Sequence, residues 1–149
     1  MNEVTVNSKM KLSEHFSLGD FTKTKHKTAD GNIPSHAVIE NLKRLCPWLE
    51  ELRRRYNEPI IINSGYRSPT VNKLAGGSNT SNHLTGCAVD IRCAGKEQMI
   101  RYASILLDIA DGTKQDYDEL LLEQHGSVCW LHFAVRPKDN RRRIEFLKS

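Results

Sequence analysis

Val38, Leu42, Leu45, Leu49 and Leu52 recur at three- and four-residue steps. That spacing gathers them on one face of a helix and predicts a long amphipathic helix over 35–56. Pro47 lies inside it and is expected to kink or split it, because proline lacks the N–H and crowds the preceding turn. A second helix is predicted over 96–110, with Met99, Ile100, Ala103, Leu106, Leu107 and Ala110 on its buried face and Gly112 closing it. Elsewhere the period shortens. The β-branched run at 59–63 predicts a short buried strand, and 86–92 alternates small or apolar with polar residues. Strands over 117–123 and 128–135 meet at a His125-Gly126 turn, and 143–147 adds an edge strand. Ser17, with Asp20 three residues on, caps a short helix, and another is expected near 70–74. Between these elements 22–34 and 64–85 are rich in loop and turn residues. Helices come first and strands mostly follow, so the predicted class is α+β: a small antiparallel sheet flanked by helices, not a doubly wound fold. There is no repeat and no linker. The expectation is one domain over 1–149, with a loose leader over 1–11 and a basic C-terminal tail over 137–149.

Composition narrows the class. With 149 residues, 38% hydrophobic and 27% charged, collagen-like, low-complexity and globally disordered chains are excluded. No apolar run approaches the roughly 18 residues of a membrane span. The first sixteen residues lack the apolar stretch of a secretory signal, so the chain is expected to begin in the cytosol. Free thiols then suit Cys46, Cys87, Cys93 and Cys129, and no C-x-x-C spacing supports a thiolate zinc knot. The net charge of +4 is concentrated at Arg53-Arg54-Arg55 and over 138–148. These runs read as solvated helix and tail surface, or as attraction to a polyanion such as cell wall. A nucleic-acid partner rests on charge alone, since no stacking aromatics interleave the basic runs; the chain is read as binding no nucleic acid and acting as a monomer.

The densest chemistry lies in Ser81-Asn82-His83-Leu84-Thr85-Gly86-Cys87-Ala88-Val89-Asp90. If His83 ends a loop and Asp90 lies on the next strand, the strand returns the carboxylate to the imidazole. Both are zinc-ligand types, although a structural His–Asp hydrogen bond accounts for the same pair. In Trp130-Leu131-His132-Phe133, alternation puts Trp130 and His132 on one strand face, as in a pocket wall or simply a satisfied strand histidine. Glu119, Leu121 and Glu123 share a face of the partner strand, where a carboxylate near His132 is a candidate general base or an exposed strand end. Arg67, in the loop Ser64-Gly65-Tyr66-Arg67-Ser68, is a carboxylate-binding candidate or a surface arginine beside a turn. Together, two histidines and an aspartate make a three-ligand zinc site with an open position. An adjacent glutamate to take a proton from water and an arginine for a substrate carboxylate complete a metallopeptidase acting near a peptide's carboxyl end.

These motifs, in this order, resemble the M15 peptidases: the zinc D-Ala-D-Ala carboxypeptidases and related phage endolysins. The resemblance runs from Leu12-Ser13-Glu14-His15-Phe16 through Ser64-Gly65-Tyr66-Arg67-Ser68 with Asn72 and Gly76-Gly77. It continues in Ser81-x-His83-x-x-Gly86-x-Ala88-x-Asp90 and Trp130-x-His132. It implies Zn2+ held by His83, Asp90 and His132, and a substrate-carboxylate contact from Arg67 with Ser81 nearby; Trp130, as pocket wall, is the third expected substrate-binding residue. It also implies cleavage in the peptidoglycan stem peptide, with the enzyme reaching the cell wall after release, as in a phage or prophage lysin. The implied fold is the small α+β one shared with the amino-terminal signalling domain of Hedgehog proteins. Many relatives carry the catalytic acid three residues before the second zinc histidine, where this chain has Cys129. A similar branch closes the preceding strand with a glutamate, so Glu123 is the expected base and Glu119 the reserve. Cys129 also motivates another reading, a catalytically silent zinc module that binds cell wall or a protein.

Overall fold

The computed structural model describes residues 7–149. Its elements are helices α1 (Leu18–Thr22), α2 (His36–Tyr56), α3 (Pro69–Leu74) and α4 (Lys96–Thr113), a 3-10 turn (Asn82–Thr85), and strands β1 (Ile62–Ser64), β2 (Ala88–Cys93), β3 (Glu119–His125), β4 (Val128–Ala134) and β5 (Arg143–Lys148). The strands form one sheet in the order β1-β2-β4-β3-β5. β1, β2, β4 and β3 pair antiparallel, and β5 lies parallel to β3 at the edge. The class is α+β, as the order of helical and strand patterns predicts. No described helix is long and apolar enough to cross a membrane.

Alternation divides the sheet into two faces. Val89 and Ile91 of β2, Leu131 and Phe133 of β4, and Leu120 and Leu122 of β3 are buried with the apolar faces of α2 and α4 in one core. Trp48 of α2 packs against Phe133 with the rings tilted by 58° and 5.2 Å between centroids. The opposite face carries the polar chemistry in rows fixed by strand register. Asp90, His132 and Leu121 form one row; Arg92, Trp130 and Glu123 form the next.

The helices depart from the sequence pattern in instructive ways. α2 runs through Pro47 without splitting. Buried Leu42, Leu45, Cys46, Trp48 and Leu49 on both sides of the proline hold the two halves on the core, and that burial outweighs one missing helical bond. α4 passes Gly112 and ends at Lys114, whose φ of 56° supplies the left-handed closure. Its buried stripe is Met99, Tyr102, Ala103, Leu106, Ile109 and Ala110. Ile100 falls off that stripe and is 53% exposed.

Residues 7–11 and the C-terminal segment are more tied than the sequence suggests. Residues 1–6 of the expected leader lie outside the described residues. Within 7–11, Met10 O accepts from Leu18 N, and Ser8 O from Gly19 N, each at 2.8 Å. The basic C-terminal segment is not free surface throughout, because β5 completes the sheet and the Arg141 and Arg143 side chains reach under the polar face. The charge at Arg54 and Arg55 does lie on the surface of α2, paired with Glu51. All four cysteines are free and buried.

Candidate metal centre

The segment carrying His83 is shaped by its neighbours. Ser81 Oγ accepts the His83 N–H at 3.1 Å and starts the 3-10 turn. Gly86 ends it at φ 77°, and a Cβ there would sit 2.8 Å from Val38 O, so both backbone and space demand glycine. β2 then runs from Ala88, bringing Asp90 back beside His83. The Arg67 loop is fastened to the same segment by Arg67 N donating to His83 O at 3.0 Å. Its other side is held by Asn32, 2% exposed. The Asn32 amide donates to Thr22 O and Tyr66 O, and its Oδ1 accepts from Ser68 N at 2.7 Å. In the sequence Asn32 is only one residue of the turn-rich stretch 22–34.

His83, Asp90 and His132 offer ligand atoms that all lie within 4.8 Å of one another. Hydrogen bonds on the far side of each ring fix which nitrogen points inward. His83 Nδ1 lies 2.6 Å from Gly65 O, an oxygen that only accepts, so Nδ1 carries the hydrogen and Nε2 presents its lone pair. His132 Nε2 donates to Glu119 Oε1 at 2.9 Å, leaving Nδ1 inward. The two inward nitrogens face the same oxygen, Asp90 Oδ1, at 3.3 and 3.1 Å. Asp90 Oδ2 turns away to accept from Arg67 Nη2 at 3.2 Å. Three lone-pair atoms converging on one point repel unless positive charge lies among them. Burial opposes charge on His132, yet its bonds to Asp90 and Glu119 prevail and raise it to about 9. A metal cation answers the same demand, and two imidazoles with one carboxylate oxygen are a fitting donor set.

The cluster lies in a cavity of about 410 Å³ also lined by Arg67, Ser81, Glu119, Leu121, Glu123 and Trp130. All seven site residues expected from sequence, with the reserve Glu119, therefore share one pocket. Their surroundings differ. Arg67 is braced by Ser64 Oγ and Asn72 Oδ1 as well as Asp90. Glu119 is fully engaged: Oε1 accepts from His132 and from Asn82 Nδ2 at 2.8 Å, and Oε2 from Arg143 Nη1 at 3.0 Å. Burial pushes its carboxyl up, but His132 and Asn82 hold it down at about 2. Glu123 has no ion pair among the described residues; burial, then the charge of Asp90, raise its carboxyl above the ordinary value. Cys129 points to the other sheet face and is 4% exposed in the core. The position three residues before His132 thus faces away from the pocket in this chain.

Beneath the pocket a second charge network supports Glu119. Asp118 is fully buried and accepts from Arg141 Nη2 and Asn82 Nδ2, each at 2.8 Å, with Arg136 Nε at 3.2 Å. Burial alone would raise Asp118; the bonds from Arg141 and Asn82 overcome it and hold it at about 2. A depressed folded pKa gives stability that is present above the unfolded value and lost as pH falls through the folded one. We therefore expect Asp118→Asn to cost roughly 2 kcal/mol at pH 7, with the difference from the parent closing as pH falls from about 4 towards 2. Chemical denaturation across that range checks it; a pH-independent difference would contradict the assignment. The network is not legible locally: Arg141 lies in a run that reads as tail, and Asn82 and Arg136 come from two other segments.

The family model for peptidase M15 matches residues 14–117, which contain Arg67, Ser81, His83 and Asp90; Glu119, Glu123, Trp130 and His132 lie beyond its end. No curated protein matches the chain. The family model covers well over half of the sequence, and the chain belongs to the peptidase M15 family.

Proposed function

We propose that this M15 peptidase is zinc-dependent and hydrolyses a peptide bond in the peptidoglycan stem peptide, as a D-Ala-D-Ala carboxypeptidase or an endolysin-type endopeptidase. The observation that carries the reading is the convergence of His83 Nε2, His132 Nδ1 and Asp90 Oδ1 beside Glu123, a carboxylate with no ion pair among the described residues. Zinc held by those three atoms would lower the pKa of water and polarise the scissile carbonyl. Glu123 takes the proton from the attacking water and returns it to the leaving amine. Its lack of an ion pair, and the burial that raises its carboxyl, suit a group that must gain and lose a proton. Arg67, braced by Ser64 and Asn72, presents its guanidinium to a substrate carboxylate. Trp130 walls the pocket beside Glu123, and Ser81 contacts the peptide from the turn that carries His83. Glu119 holds the His132 ring and is a positioning residue.

Elemental analysis paired with digestion of purified peptidoglycan tests the reading. The expected result is near one zinc per chain, with peptide release that a chelator abolishes and added zinc restores. Full activity in metal-free protein would overturn it. Zinc without cleavage on several wall types would instead favour a silent binding module.

A further inference from the structure

A second cavity of about 330 Å³ lies against the first, and Arg67 and Ala75 line both. Its other walls come from residues 23–26 after α1, from Asn63 and Ser64 on β1, and from Val71 on α3. Every ionisable or imidazole side chain lining it is basic: Lys23, Lys25, His26 and Arg67, with no carboxylate among them. Lys23 and Lys25 are exposed and make no ion pair among the described residues. By contrast, in the basic clusters elsewhere Arg54 and Arg55 pair with Glu51, and Arg141 with Asp118. The backbone under the lysines is held in place. Lys23 N donates to Gly19 O at 3.1 Å, and Asn32 fixes the preceding Thr22 carbonyl at 2.9 Å. A concavity lined by like charges raises the local concentration of anions, and ammonium, guanidinium, hydroxyl and amide donors together match a carboxylate.

We propose that this basic cavity is a substrate subsite that receives a second carboxylate, borne by the peptide beside the residue held at the metal centre. The inference rests on the peptidase reading and deepens it. Arg67 is the shared wall, so a peptide lying across it occupies both cavities, whereas a dipeptide leaves the basic one empty. The preferred substrate is then an acidic oligopeptide.

Binding, not turnover, tests this. Calorimetry on the zinc-loaded Glu123→Gln protein compares two stem pentapeptides. In one, a D-glutamate linked through its side chain keeps its α-carboxylate free; in the other that carboxylate is amidated. The same pair is titrated into the protein carrying Lys23→Ala and Lys25→Ala as well, both at exposed positions. Amidation is expected to weaken binding roughly tenfold. The lysine substitutions should weaken the free-acid peptide equally and leave the amidated one unchanged. An amidation effect that is absent, or equal in both proteins, overturns the subsite, as does failure of both peptides to bind. Lysine-dependent binding of a glycerol-phosphate polymer, with the two peptides bound alike, also overturns it and assigns the cavity to phosphate. Failure of the peptidase reading looks different: carboxylate-dependent binding persists while wild-type protein releases no peptide from peptidoglycan.

Discussion

Glu123→Gln protein is expected to bind zinc at wild-type stoichiometry and to release peptides from peptidoglycan on the order of 10²–10⁴-fold more slowly, the usual contribution of a positioned general base. The glutamine keeps the size of the side chain and loses its capacity to accept a proton. Glu123 is the right residue to test because the other carboxylates of the pocket are committed. Asp90 directs one oxygen to the two imidazoles and the other to Arg67. Glu119 spends both oxygens on His132, Asn82 and Arg143, the pattern of a carboxylate that orients a ligand histidine. Removing such a group acts first on metal affinity, not on the proton transfer. Metal content and single-turnover cleavage measured on the same preparation separate the two. Wild-type rates in Glu123→Gln would exclude it as the base; loss of zinc would make it a support of the metal centre.

Much of this pocket was legible because its signals are local. His83 and Asp90 are joined by a short turn and the start of a strand, so spacing alone places them together. His132 and Trp130, and likewise Glu119 and Glu123, follow from strand alternation, which puts alternate residues on one face whatever the rest of the chain does. Register across strands is not local, and there the sequence was ambiguous. Glu119 and Glu123 were equivalent on strand alternation. What separates them is the meeting of Glu119 with His132, Asn82, Arg141 and Arg143, partners drawn from three distant segments. The same limit explains the C-terminal run. Its arginines read as solvated because the carboxylates that engage them, Asp118 and Glu119, lie far off in sequence and meet Arg141 and Arg143 only across the sheet edge. Pro47 is the converse case. Local chemistry argued for a broken helix, and core burial on both sides kept it continuous.

Asp90→Asn protein is expected to remain folded and to lose its zinc, the second large effect. The substitution separates fold from metal because of how the two imidazoles are held. His83 is fixed from behind by Gly65 O and His132 by Glu119, so neither ring depends on Asp90 for its orientation. Without metal, Asp90 Oδ1 faces two ring-nitrogen lone pairs, and oxygen and nitrogens repel unless hydrogen lies between them. An asparagine amide placed there donates hydrogen bonds to those same lone pairs and relieves that repulsion. The metal-free variant should therefore still fold, melting below the metal-free parent only by the lost pairing of Asp90 with Arg67 and His132. Zinc behaves oppositely, because asparagine removes the anionic ligand and leaves two neutral imidazoles to hold a dication. The parent's melting temperature should rise with added zinc, as for any ligand that binds only the native state, and the variant's should not move over the same concentrations. Hydrolysis of peptidoglycan should disappear with the zinc. A variant that takes up zinc and melts as the loaded parent does would remove Asp90 from the ligand set. A variant that fails to fold even without metal would show that the carboxylate's bond to Arg67, not the cation, is its principal task.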